Sequence, residues 1–171
     1  MEGVYGYQHQ VSSSISTSSS LSLLLLFSIG GLTWSITTAP SSMNWYSIAS
    51  SSSGISLPSS SGSVFAAVVN GGGIYISTNG VDWTLSSAPN PSAWYSIASD
   101  STGANLAAVQ KGGYIYTCTS IGGAWANATA PQGPWYSIAS DSTGKFLSAV
   151  QLDGYIYTST YTTGYHTIES I

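Results

Sequence analysis

The decapeptide WYSIASDSTG occurs twice, at residues 94–103 and 135–144, and its first six residues occur once more as WYSIAS at 45–50. A Trp-Tyr pair, then small and β-tolerant residues, then Asp-Ser-Thr-Gly: the stretch reads as a short strand closed by a turn. Repetition at a fixed interval decides the reading of a whole fold, so the spacing comes first. Forty-one residues separate Trp94 from Trp135, and 49 separate Trp45 from Trp94. The eight extra residues fall in SSSSGISLPSSSG (50–62), where SSSG appears twice, a local insertion in an otherwise regular period.

All six tryptophans obey this register. Trp45, Trp94 and Trp135 head the hexapeptide; Trp34, Trp83 and Trp125 precede them by 11, 11 and 10 residues, and each of these is followed five residues on by Ala-Pro. Each unit predicts four short strands. WYSIAS is the first. FAAVV (65–69), LAAVQ (106–110) and LSAVQ (147–151) are the second, followed by glycine-containing turns. IYIS (74–77) and the two YIYT stretches (114–117 and 155–158) are the third. The fourth begins at the second class of tryptophan and stops before Ala-Pro, because proline cannot donate to a central ladder. Strands of this length with turns at this density indicate an all-β fold, and nothing of useful length has helical periodicity.

Four antiparallel strands in a period near 40 is the pattern of a β-propeller blade. Stacked blades bury both faces of their inner strands, which accounts for Ala107, Ala108 and Ala149 in strands of little polar alternation. A β-sandwich is the alternative, although it does not need the period. The expected organisation is an unrelated, poorly ordered Ser-rich segment at 1–20, the C-terminal half of a blade at 21–44, repeat 1 with its insertion at 45–93, repeat 2 at 94–134 and an incomplete repeat 3 at 135–171. That is about three and a third units, a partial or open propeller.

STNGVDW (77–83) resembles the Asp-box, or bacterial neuraminidase, repeat, Ser-x-Asp-x-Gly-x-Thr-Trp, with Ser77, Asn79 and Trp83 as the counterparts of its Ser, Asp and Trp. CTSIGGAW (118–125) has the motif's length, with Cys118 for Ser, Ser120 for Asp, and Gly122 and Trp125 in place. SIGGLTW (28–34) keeps Ser28, Gly31 and Trp34 but is one residue short and lacks the acid. In the last copy, 159–166, Tyr165 or His166 stands in the Trp slot. The resemblance covers about residues 28–171 and implies a sialidase-like propeller with its boxes at the hairpin between third and fourth strands, away from the central site. The boxes are then structural: the polar third residue ties down the turn, glycine permits its tight path, and tryptophan covers the blade edge. The same register sets Leu25, Leu26 and Phe27 on Ile74, Tyr75 and Ile76. LSLLLLF (21–27) therefore reads as a third strand. The alternative, a signal-peptide core, has the right length but no basic flank or small-x-small site. The run is too short to span a bilayer as a helix.

Only 5% of residues are charged, Lys111 and Lys145 are the only strong bases, and arginine is absent. A basic face for nucleic acid is therefore excluded, as is bidentate clamping of carboxylate or phosphate. Sialidases of the resembled family hold their substrate's carboxylate with an arginine triad, which has no matching positions here, so the fold is not expected to bring that activity. A carboxylate-pair glycosidase would draw on Glu2, Asp82, Asp100, Asp141, Asp153 and Glu169. Asp100 and Asp141 hold the same place in successive repeats and read as turn caps, and Ser51 occupies that place in the first unit. His9 and His166 are isolated and Cys118 is the only cysteine, so neither a metal centre nor a disulfide is expected, and no cofactor.

Tyr114, Tyr116, Tyr155 and Tyr157 recur by repeat and are expected to pack between blades rather than to bind a ligand. Asn127-Ala128-Thr129 fits an N-glycosylation sequon, which matters only in a secretory pathway; an extracellular location is the one it favours. The expected function is a non-catalytic scaffold for binding or assembly, its partner a glycan or a protein, with self-association or further blades closing the ring. The alternatives are an extracellular carbohydrate-binding (lectin-like) or glycosidase-related protein, and a truncated gene product without independent function.

Overall fold

The computed structural model describes residues 34–52, 63–162 and 165–170, with side chains as far as residue 160. The segment expected at 1–20, the strand expected at 21–27, Ser28, Gly31 and residues 53–62 of the Ser-rich insertion lie outside the described residues. The chain divides into two units, Met1–Trp34 and Ser35–Ile171, and the second carries all twelve described strands.

Among the described residues the fold is all-β, without helix. Each copy of the hexapeptide opens a four-stranded antiparallel meander. The first runs β1 (Trp45–Ser50), β2 (Phe65–Gly72), β3 (Ile74–Ser77) and β4 (Thr84–Leu85). The second runs β5 (Ser92–Ser99), β6 (Leu106–Gly113), β7 (Ile115–Cys118) and β8 (Ala126–Asn127). The third runs β9 (Gly133–Ser140), β10 (Leu147–Gln151), β11 (Ile156–Thr162) and β12 (Tyr165–Ser170). Short ladders join successive repeats: Asn70 opposite Ala93 and Gly72 opposite Ser92, then Lys111 opposite Pro134 and Gly113 opposite Gly133. All twelve strands thus belong to one open antiparallel sheet.

These ladders explain one departure from the sequence expectation. β2 and β6 run on through the predicted glycine turns, because their last residues pair with the next repeat. The chain nevertheless reverses within those turns, where Val69 N–H donates to Gly73 O (3.0 Å) and Gln110 N–H to Tyr114 O (3.0 Å). Gly71 and Gly112 take φ of 79° and 75° there, and Asp153 holds the equivalent place at φ 53°, a conformation aspartate tolerates better than most residues. One hydrogen bond across the connection after each first strand also recurs in all three units. Ser51 Oγ accepts from Val64 N–H (2.9 Å), Asp100 Oδ1 from Asn105 N–H (3.3 Å) and Asp141 Oδ1 from Phe146 N–H (3.1 Å). The expected caps form, and a serine does the same work as an aspartate.

The third repeat departs at its outer edge. β11 runs through the place of the box turn to Thr162 and pairs directly with β12, Tyr161 opposite His166 and Thr162 opposite Tyr165. The two boxes seen in full bend at Gly80 and Gly122, with φ of 75° and 71°. Counted from Ser159, Thr162 and Thr163 stand in those two places in the third copy, and β-branched Thr160 and Thr162 around Tyr161 favour continued strand.

The core lies between repeats. One buried cluster joins Ala66, Val68 and Ile74 of the first meander to Trp94, Ile97 and Leu106 of the second. The next joins Ala107, Val109 and Ile115 of the second to Trp135, Ile138 and Leu147 of the third. Leu106 and Ala108 enter the first cluster, Ala107 and Val109 the second. β6 therefore buries both faces, as expected of its alanine-rich sequence.

Candidate functional site

The chemistry that recurs at every first strand starts from a register shift. Trp94 is opposite Gln110 and Ser96 is opposite Val109, so Tyr95 has no residue opposite it. The same irregularity falls between Trp45 and Ser47 and, in the third repeat, between Trp135 and Ser137. Each is a β-bulge, one extra residue that re-aims its side chain. The bulge resolves a parity problem. Trp94 and Ile97 are three residues apart, which would put them on opposite faces of a regular strand, yet both lie in one buried cluster. Trp135 and Ile138 do the same in the other cluster.

The bulged residues Tyr46, Tyr95 and Tyr136 line up across the repeats, with ring centroids 4.8 Å and 5.7 Å apart. Tyr46 and Tyr136 are half exposed. Lys111 Nζ donates to Tyr95 Oη (3.2 Å) and sits 5.1 Å from the centroid of its ring. That hydrogen bond, helped by the lysine charge, holds the Tyr95 phenol below its ordinary pKa. The result is a row of rings bearing hydroxyls, with one amine at its centre. Such a surface can stack against apolar faces of a ligand and exchange hydrogen bonds with neutral polar groups.

The hexapeptide tryptophans are anchors. Trp94 and Trp135 are fully buried, and their Nε1 groups donate to Pro89 O and Pro131 O at 3.1 Å. The Ala-Pro pair thus supplies an acceptor. Tyr75, Tyr116 and Tyr157 stand edge-on to the tryptophans of their own repeats, at 5.3, 5.4 and 4.8 Å. Tyr116 and Tyr157 pack as expected; Tyr155 does not, being exposed beyond the start of β11. In the first repeat the equivalent face is open: Trp45 is 37% and Ile48 61% exposed. A cavity of about 440 Å³ lies over it, lined by Ala39, Trp45, Tyr46, Ile48, Ala67 and Trp83.

The box residues hold turns. Asn79 Oδ1 accepts from Val81 N–H and Asp82 N–H, both at 2.8 Å, while Asn79 Nδ2 donates to Asp82 Oδ2 at 2.9 Å. Ser77 Oγ, buried, accepts from Gly80 N–H at 2.9 Å. In the second copy the backbone takes over: Ser120 O accepts from Gly123 N–H (2.9 Å) and from the Cys118 thiol (3.1 Å). The Cys118 side chain is buried. Trp83 and Trp125 are partly buried, with ring centroids 6.4 and 6.5 Å from Trp45 and Trp94, and their Nε1 groups have no partner among the described residues. Trp34 is exposed. Asn127 is exposed on β8, so the sequon is accessible.

Among the described residues no group of three or more His, Cys, Asp or Glu could hold a metal ion. Asp82, Asp100 and Asp141 each accept hydrogen bonds inside their own turns. The sequence reading treated the Trp-Tyr pair as strand only and missed the tyrosine row; the three-residue spacing of Trp and Ile was the signal that could have exposed the bulge. A comparison with protein-family models finds no match for this chain, and a comparison with curated proteins finds none either.

Proposed function

We propose that the chain is a segment of a sialidase-like, Asp-box propeller that serves as a non-catalytic scaffold for binding or assembly. The observation that carries this reading is the burial of both faces of the second meander against its neighbours. In a two-layer sandwich each sheet turns one face outward, whereas in a propeller each blade is covered on both sides. Engagement of Asp82, Asp100 and Asp141 in turn hydrogen bonds supports the absence of a carboxylate pair poised for hydrolysis.

A second reading, carbohydrate binding, is favoured by the row of Tyr46, Tyr95 and Tyr136. Aromatic rings beside hydroxyls and a single amine suit a neutral sugar, and the near-absence of charge elsewhere in the chain suits it better than an ionic ligand. One experiment separates these readings from an enzyme: a glycan array beside a panel of fluorogenic glycosides. The scaffold reading expects no turnover of any glycoside. Binding lost in Tyr95→Ala and without turnover supports the lectin-like reading; turnover sinks both.

A further inference from the structure

We infer that the open face of the first repeat is a docking site for the third repeat of a second copy of this chain, head to tail. The inference rests on the propeller-segment reading and gives its scaffold a partner.

The two junctions inside the chain are built alike. In each, a tryptophan and an isoleucine of the later repeat enter an apolar cluster facing small and branched residues of the earlier one. In each, the isoleucine N–H donates to a serine hydroxyl of the earlier repeat: Ile97 to Ser47 Oγ (3.4 Å) and Ile138 to Ser96 Oγ (3.3 Å). In each, a ladder of two residue pairs joins the second strand of one repeat to the first strand of the next. In each, two bulged tyrosines meet.

Among the described residues, the three repeats present one unused half of this junction at either end. Trp45 and Ile48 are the equivalents of Trp94 and Ile97, and they are partly exposed instead of buried. At the other end Ser137, Val150 and Ile156 are the equivalents of Ser96, Val109 and Ile115. Ser96, Val109 and Ile115 are buried; Ser137 and Ile156 are exposed, Ile156 by 60%. Three of the four elements of the internal junction thus have their counterparts waiting: Ile48 N–H for Ser137 Oγ, Tyr46 for Tyr136, the indole of Trp45 for Val150 and Ile156. The two faces differ from each other, so the contact is heterologous, and such a contact forms a ring when its rotation closes. Two copies supply six four-stranded repeats, inside the roughly four to eight blades of closed propellers. A two-chain ring is therefore the expected product.

The test is the mass of the full chain in solution, by light scattering across a dilution series. The expected mass is twice the 17.7 kDa of one chain. Ile48→Glu removes the head and Ile156→Glu the tail; both side chains are exposed, so neither substitution is expected to unfold a repeat. Each variant alone is expected to halve the mass. Their equimolar mixture is expected to regain two-chain particles, since one intact head and one intact tail remain. A single-chain mass for the unsubstituted protein overturns the proposal, as covering of the head face by residues 21–33 of the same chain would produce. Loss of association in Ile48→Glu but not in Ile156→Glu also overturns it, because it would mean that two heads meet. Hydrogen exchange tells this failure from failure of the underlying reading: slow exchange in β5 and β6 with a single-chain mass leaves the stacked repeats standing, whereas fast exchange there defeats both.

Discussion

Trp45, Trp94 and Trp135 share one sequence context and differ in burial, so truncating each to alanine measures what the junction contributes. An indole buries about 150–250 Å². At about 25 cal/mol per Å² that is roughly 4–6 kcal/mol, reduced to about 3–5 once the compactness of the unfolded chain is allowed for. Trp94→Ala and Trp135→Ala remove a fully buried ring and its hydrogen bond to Pro89 O or Pro131 O, so each is expected to cost about 3–5 kcal/mol. Trp45 is 37% exposed, and scaling by its buried share leaves roughly 2–3 kcal/mol. With a urea m-value of about 2 kcal/mol per M, the midpoint should fall by about 2 M for Trp94→Ala and about 1 M for Trp45→Ala. The assay is urea unfolding followed by far-UV circular dichroism, at a concentration low enough that chains do not associate. Equal losses at the two positions, or a larger loss at Trp45, would refute the argument from burial. At high concentration the gap should narrow, since association would bury Trp45 as its equivalents are buried.

Three further outcomes are expected. Asn79→Ala removes the acceptor of two backbone N–H groups and should destabilise by roughly 1–2 kcal/mol, seen as a lower midpoint in a thermal melt, while Asn79→Asp keeps that acceptor but sets a second carboxylate against Asp82, where Asn79 Nδ2 now donates, and should recover only part of the loss. Gly103→Ala and Gly112→Ala face the same strain, with φ of 78° and 75°, but the added methyl would strike Val64 at Gly103 and meet nothing within 4 Å at Gly112. Gly112→Ala should cost roughly 1 kcal/mol and Gly103→Ala clearly more by the same melt. Acid should weaken the fold through Asp100 and Asp141. Burial opposes the charge on Asp100, but hydrogen bonds from Asn105 and Thr102 outweigh it; Thr143 does the same for Asp141. Both pKa values are depressed, so their contribution is whole above the ordinary aspartate value near 3.9 and is lost as pH falls through the lower folded value. A pH series of urea midpoints should decline in that window, and Asp100→Asn with Asp141→Asn should flatten the decline.

The repeat, the strand order and the doubly buried β6 were legible because a central copy flanked by copies of itself must bury both faces, whereas β10 at the end of the row leaves Ser148 exposed. Leu106 and Ala107 announce two cores by lying side by side with no polar alternation. The bulge was hidden by its own regularity: with Trp, Tyr and Ile all apolar, the strand offers no polar residue whose misplacement would reveal the change of parity. The strand ends were misjudged for a different reason. Gly71 and Gly72 carry turn signals, yet the second belongs to a ladder whose partner, Ser92, lies in the next repeat, and local sequence does not encode that pairing. In the last box, Thr162 and Thr163 in the two glycine places could have been read directly, since a β-branched residue resists the positive φ that Gly80 and Gly122 adopt. The tyrosine row needed three strands placed side by side before it existed at all.

β2 and β6 each belong to two meanders at once, held along most of their length by their own repeat and at the last residues by the next. Mechanically they are splices. A load pulling neighbouring repeats apart falls first on two residue pairs, while the meander behind them keeps its full ladder. Because each joint also closes an apolar cluster shared by two repeats, its failure would open that core and carry the loss into both meanders.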